Sequence, residues 1–118
     1  MIRDYGSAVL LVPCFMRRPF DMMLCLRDST RSHIYELTPD EVKTVVTGWQ
    51  DAIPATRAVM AEIGRELAYN VITHNGPGGG LYFEFLPYTR ETGGFEQLGL
   101  VSCQLDPFQA ASRLKRLI

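Results

Sequence analysis

Tyr69-Asn-Val-Ile-Thr-His74, Asn75-Gly-Pro-Gly-Gly-Gly80 and Leu81-Tyr-Phe-Glu-Phe-Leu-Pro87 follow one another without a break, and their reading decides what kind of sheet this chain builds. The flanks are rich in β-branched and aromatic residues and the insert in glycine, which predicts two strands joined as a hairpin. In the second strand Phe83 and Phe85 alternate with Tyr82 and Glu84, so the phenylalanines face one side of the sheet and Tyr82 and Glu84 the other. Glycine-rich loops also cradle phosphates, but those lead from a strand into a helix N-terminus. This one leads into a strand and holds no Gly-Lys-Ser/Thr, so a plain hairpin connection is the favoured reading.

Upstream, Ala8 to Phe15 and Phe20 to Leu26 are apolar runs separated by Arg17-Arg18-Pro19, and they predict neighbouring strands joined by a tight turn. Thr38-Pro39-Asp40-Glu41 combines an N-cap, a proline at the first helical position and a glutamate three residues after the cap, which starts a helix. Val42, Val45, Val46, Trp49, Ala52, Ile53, Thr56, Val59, Met60, Ile63 and Leu67 then recur at three and four, predicting one core-facing stripe. Pro54 removes a hydrogen bond inside that pattern, and a kink or short break is expected near Ala52. A further strand is expected at about Glu96 to Gln104. Asp106-Pro107 starts a closing helix whose apolar positions are Phe108, Ala111, Leu114 and Leu117. The order is β-β-α-β-β-β-α, an α+β antiparallel sheet of about five strands with one long central helix and a C-terminal helix.

The totals bound the function. The chain has 118 residues, 47% hydrophobic and 21% charged, with a net charge of -1, which suits one domain over residues 1–118. No basic excess argues for nucleic acid. The longest apolar run, Ala8 to Val12, is far short of the roughly 18 residues of a membrane span. An acid, Asp4, precedes it and no small-residue cleavage site follows, so a signal peptide is not expected and the cytoplasm is the expected address. Cys14, Cys25 and Cys103 are far apart in apolar stretches and are expected to be buried free thiols.

The run Tyr69 to His74, then Tyr82-Phe83-Glu84-Phe85-Leu86-Pro87, then Gly94-Phe95-Glu96 resembles the C-terminal half of galactose-1-phosphate uridylyltransferase. That family shows a Tyr-Asn strand, a His-x-His-Ile-Glu-x-x-Pro strand and a Gly-Tyr-Glu turn. Val12-Pro13-Cys14-Phe15 with Pro19-Phe20, the Leu37 to Glu41 cap and the closing helix from Pro107 to Lys115 also fit. The resemblance implies the histidine-triad fold, of which these nucleotidyltransferases hold two copies, with the catalytic histidine in the N-terminal one. In active triad proteins a strand reads His-x-His-x-His and its middle imidazole attacks the α-phosphate. The three matching positions here are Gly80, Tyr82 and Glu84, so no catalytic residue is assigned.

The resemblance also implies where a ligand would sit. Glu96 matches a glutamate that contacts the hexose of a nucleotide sugar in the family, while a glutamine six residues on is replaced by Ser102. Arg90 resembles an arginine placed to meet a phosphate, with a solvated loop arginine as the alternative. Tyr82 is a packing or pocket-wall residue, because a phenol with an ordinary pKa of about 10 stays protonated without a base or cation beside it. Glu84 is either pocket-lining or plainly solvent-facing. His74 is the one histidine left of a family metal-ligand set, and alone it makes a poor metal site; a hydrogen-bonded loop residue is the favoured reading. No metal and no cofactor are expected.

Three functions compete. The first is a domain that is non-catalytic on its own and binds a nucleotide or sugar phosphate. The second is a fragment or subunit of a nucleotidyltransferase acting on nucleotide sugars, with the catalytic histidine on another half or chain. An independent hydrolase using Tyr82, His74 or Glu84 ranks last. A homodimer is expected, since triad proteins pair two copies of the fold.

Overall fold

The computed structural model describes residues 1–16, 18–76, 80–88 and 106–118. Among these residues, five antiparallel strands form one open sheet in the order β1-β2-β3-β5-β4. They are β1 (Arg3–Asp4), β2 (Ala8–Leu11), β3 (Met22–Leu26), β4 (Tyr69–His74) and β5 (Tyr82–Pro87). Among the described residues two α-helices accompany the sheet, α1 (Pro39–Glu62) and α2 (Pro107–Arg116).

The cap of α1 forms as the sequence requires. The Thr38 hydroxyl accepts from the Glu41 N–H at 3.1 Å, and the Glu41 carboxylate accepts from the Thr38 N–H at 2.9 Å. The helix runs on through Pro54 without a break. Pro54 lies on the exposed side, where the carbonyl it leaves unpaired is open to water. The helix ends at Glu62 rather than continuing to Leu67, because Gly64 adopts φ +73° and closes a Schellman motif. In it the Arg65 N–H donates to the Met60 carbonyl and the Gly64 N–H to the Ala61 carbonyl.

The face that α1 buries overlaps the expected stripe, with Val45, Trp49 and Ile53 packed against the core, and extends to Gly48 and Ala55. Gly48, Ala52, Ala55, Thr56, Val59 and Met60 are buried, whereas Val42, Val46, Ile63 and Leu67 are exposed. Small residues win this face because the helix lies close to the sheet. A Cβ on Gly48 would stand 2.7 Å from a methyl of Leu24. Across the contact Leu10, Met22, Leu24, Phe83 and Phe85 are buried, and Trp49 meets the rings of Phe83 and Phe85 edge-on at 5.6 and 5.5 Å. Ala110 and Leu114 of α2 join the same core, while Phe108, expected there, is exposed.

The link between β2 and β3 is also longer than the expected tight turn. β2 stops at Leu11, just before Pro13, which has no N–H to give a ladder. The chain then makes a ten-residue excursion in which Phe20 takes a positive φ of 71°. The strand expected at 96–104 lies outside the described residues, and β1, which was not expected, is among the five described strands. Cys14 is exposed and Cys25 half-buried, so the expectation of buried thiols fails for Cys14. Burial pushes the Cys25 thiol pKa up, which keeps it protonated and inert; Cys103 lies outside the described residues. Among the described residues no helix is long and apolar enough to cross a membrane.

Candidate functional site

The face of the sheet away from α1 carries the residues with chemistry. β5 alternates as predicted, with Phe83, Phe85 and Pro87 buried and Tyr82, Glu84 and Leu86 half-buried on the other face. The β4–β5 register sets His74 opposite Tyr82 and Ile72 opposite Glu84, so these four form a two-by-two block on one surface. The His74 and Tyr82 rings stack with centroids 4.2 Å apart and planes 9° from parallel. Diagonally across the block, His74 Nε2 meets Glu84 Oε1.

The excursion between β2 and β3 raises a wall beside this block. Pro13, Phe15 and Asp21 come from it, and with Ile72, His74, Tyr82, Glu84 and Leu86 they line a pocket of about 270 Å³. Asp21 is buried at 3% exposure. One of its oxygens, Oδ2, accepts the Arg18 N–H at 3.1 Å, which ties the carboxylate to the turn that carries Phe20.

Three of the five residues proposed from sequence therefore meet in one place: His74, Tyr82 and Glu84. Glu96 and Arg90, like Ser102, lie outside the described residues. His74 is more than a loop residue, since it ends β4 and contacts both Tyr82 and Glu84. Glu84 is pocket-lining rather than merely solvent-facing. Asp21, Pro13 and Phe15 also line the pocket and were not among the site residues expected from sequence. The signal for Asp21 was a single acid inside the apolar run Phe20 to Leu26.

Of the glycine loop, residues 77–79 lie outside the described residues. At its two ends the Gly76, Gly80 and Leu81 amides donate to the carbonyls of Ser32, Ser29 and Arg31, so these N–H groups are spent on the neighbouring loop. Among the described residues no three His, Cys, Asp or Glu side chains converge to hold an ion.

The sequence matches no protein-family model and no curated protein. Solved structures do match. A uridylyltransferase superposes with a TM-score of 0.85 at 19% identity, covering 98% of this chain and 40% of its own. An ADP-glucose phosphorylase from Arabidopsis thaliana, solved with bound ADP-glucose, gives 0.79 at 18% identity over 97% of this chain and 39% of its own. A HIT-like protein involved in cell-cycle regulation from Bartonella henselae gives 0.68 at 9% identity over 99% of this chain.

The fold is histidine-triad-like.

This chain spans 40% of the length of the uridylyltransferase and 85% of that of the HIT-like protein. Gly80, Tyr82 and Glu84 are the positions that the sequence resemblance sets against the triad histidines. Gly80 precedes β5 with φ +74°, and Tyr82 and Glu84 point into the pocket.

Proposed function

We propose that this domain binds a nucleotide sugar or sugar phosphate on the open face of its sheet and forms no covalent nucleotidyl intermediate on its own. One observation carries the reading: the pocket lies on the outer face of β5, and Tyr82 occupies it where an active triad strand would present a nucleophilic imidazole. Tyr82 is stacked flat on His74 and His74 is held by Glu84. These side chains shape a wall and offer acceptors, and they leave no free imidazole to attack phosphorus.

A second reading, favoured by the 40% share of the uridylyltransferase chain that this unit covers, makes the domain part of a nucleotidyltransferase whose histidine lies on another half or chain. The two readings separate in one experiment. The chain is titrated with UDP-glucose by calorimetry, and the intact mass is then measured after incubation. Saturable binding without a mass increase is expected. An added nucleotide mass refutes the non-covalent reading, and absence of any binding refutes ligand recognition by the isolated domain. Recovery of adduct only when a histidine-bearing partner is added supports the second reading.

A further inference from the structure

We infer that the Arg113 guanidinium of α2 and the ring of Phe20 form a latch that holds one wall of the pocket beside β5 in place, and that this wall swings out when the latch is released. The latch is independent of what the pocket binds.

Among the described residues Phe20 is the one non-glycine position with a positive φ, 71°. A bulky side chain rarely adopts that backbone conformation, and it persists where the surroundings over-determine it. Here they do so from two sides. The Phe20 ring is 3% exposed and belongs to the hydrophobic core. Next to it the Asp21 N–H donates to the Arg18 carbonyl at 3.2 Å, and Asp21 Oδ2 accepts the Arg18 N–H at 3.1 Å. These two bonds tie Asp21 to Arg18 across Phe20, so the turn moves as a unit. Returning Phe20 to a negative φ relieves the strain and redirects the chain that precedes it relative to β3.

Arg113 closes over the ring from outside. Its guanidinium carbon lies 5.1 Å from the centroid, within cation–π reach, and its Nη2 lies 2.7 Å from Glu62 Oε2 at the end of α1. Both partners are partly exposed, at 36% and 45%, so the ion pair adds little stability of its own. What it does is fix the guanidinium over Phe20. The seat of α2 does not depend on it, because Ala110 and Leu114 are fully buried in the core. The contact can therefore break while both helices stay where they are.

What the latch holds is the pocket wall. Pro13, Phe15 and Asp21 line one side of the pocket, and side chains of β4 and β5 line the other. The β4–β5 side is fixed by a ladder of six residue pairs. The side from the excursion is seated through Phe20, the immediate neighbour of Asp21, while Cys14 and Phe15 stand exposed at its outer end. One fixed side and one side seated through a strained residue make a hinged wall, and relief of that strain drives the opening.

Hydrogen exchange of the intact protein, read by mass spectrometry, tests the latch. Arg113→Met keeps an apolar stem and removes the guanidinium. It is expected to raise exchange over residues 14–21 about fivefold or more, with Met22–Leu26 and Tyr82–Leu86 unchanged, because the opening is local. Phe20→Leu is expected to do the same, and adding Arg113→Met to it to bring no further increase, since both act on one contact. Lys115→Met, which removes an exposed charge from the same helix, is the unchanged control. Unaltered exchange in Arg113→Met, or a rise spread equally over β3 and β5, overturns the inference. So does a double variant in which the two effects multiply. Should Phe20→Leu fail to fold, Arg113→Met against Lys115→Met decides alone.

Discussion

Glu41 does two jobs at once. Its carboxylate accepts the Thr38 N–H at the start of α1 and pairs with the Arg31 side chain, whose Nε lies 3.0 Å from Oε1. The backbone bond to Thr38 first, and Arg31 second, hold its pKa below the usual carboxylate value. A depressed folded-state pKa gives stability that is present above the unfolded carboxylate range and is lost as pH falls through the folded value. Glu41→Gln should therefore be less stable than the parent near neutral pH, and the gap should close as both are titrated into acid. Thr38→Ala removes the other half of the box and should cost about 1 kcal/mol at any pH. Urea denaturation at several pH values checks both. At this scale much was legible: the capping box could be read from four letters, and the side of β5 on which Tyr82 and Glu84 lie followed from alternation. Asp21 was not legible, because its position depends on the path of the excursion between β2 and β3, and no local periodicity encodes that path.

Between elements, the closest approach is that of α1 to β3 at Gly48. The methyls of Leu24 lie 2.7 and 2.8 Å from where a Cβ would stand, and Leu24 is fully buried, so it has nowhere to retreat without moving its neighbours. Gly48→Ala gains about 1 kcal/mol in helix propensity but overpacks the contact at about 1–3 kcal/mol. The second effect should win, leaving the variant about 1 kcal/mol less stable by urea denaturation. An increase in stability would show that the helix can move off the sheet. This contact also explains why the helical period located α1 and most of its buried face but not Gly48 and Ala55. Periodicity favours large apolar residues, and a close helix-to-sheet seat favours small ones, so Gly48 and Ala55 join the expected Ala52 on the buried face while Val42 and Val46 are left exposed. β1 escaped notice for a simpler reason. It is two polar residues long, too short for any alternation, and it exists because the Tyr5 N–H donates to the Ala8 carbonyl and Ile2 to Leu10 across the turn at Gly6.

For the whole molecule, the open sheet poses the question of association. Among the described residues, β4 has a strand on one side only, and α1 covers the opposite face from the pocket. Ile72, on the pocket face of that edge strand, is 42% exposed, and Phe15 beside it is 72% exposed. Unpaired edges and apolar faces of this kind are commonly covered by association. We propose that two copies pair through the edge and open face around β4, reciprocally about a two-fold axis, so that each patch meets itself. The prediction is specific to that surface. Light scattering at micromolar concentration should give twice the 13.3 kDa of one chain. Ile72→Lys should shift the mass toward one chain by setting two like charges against each other near the axis, and the exposed Val46 on the far side of α1 should tolerate the same change without effect. A mass of one chain for the parent refutes pairing. A dimer that Val46→Lys breaks and Ile72→Lys does not would move the interface to the apolar groove beside Trp49, Ile53 and Pro54, and the pocket would then lie open in each copy instead of close to its partner.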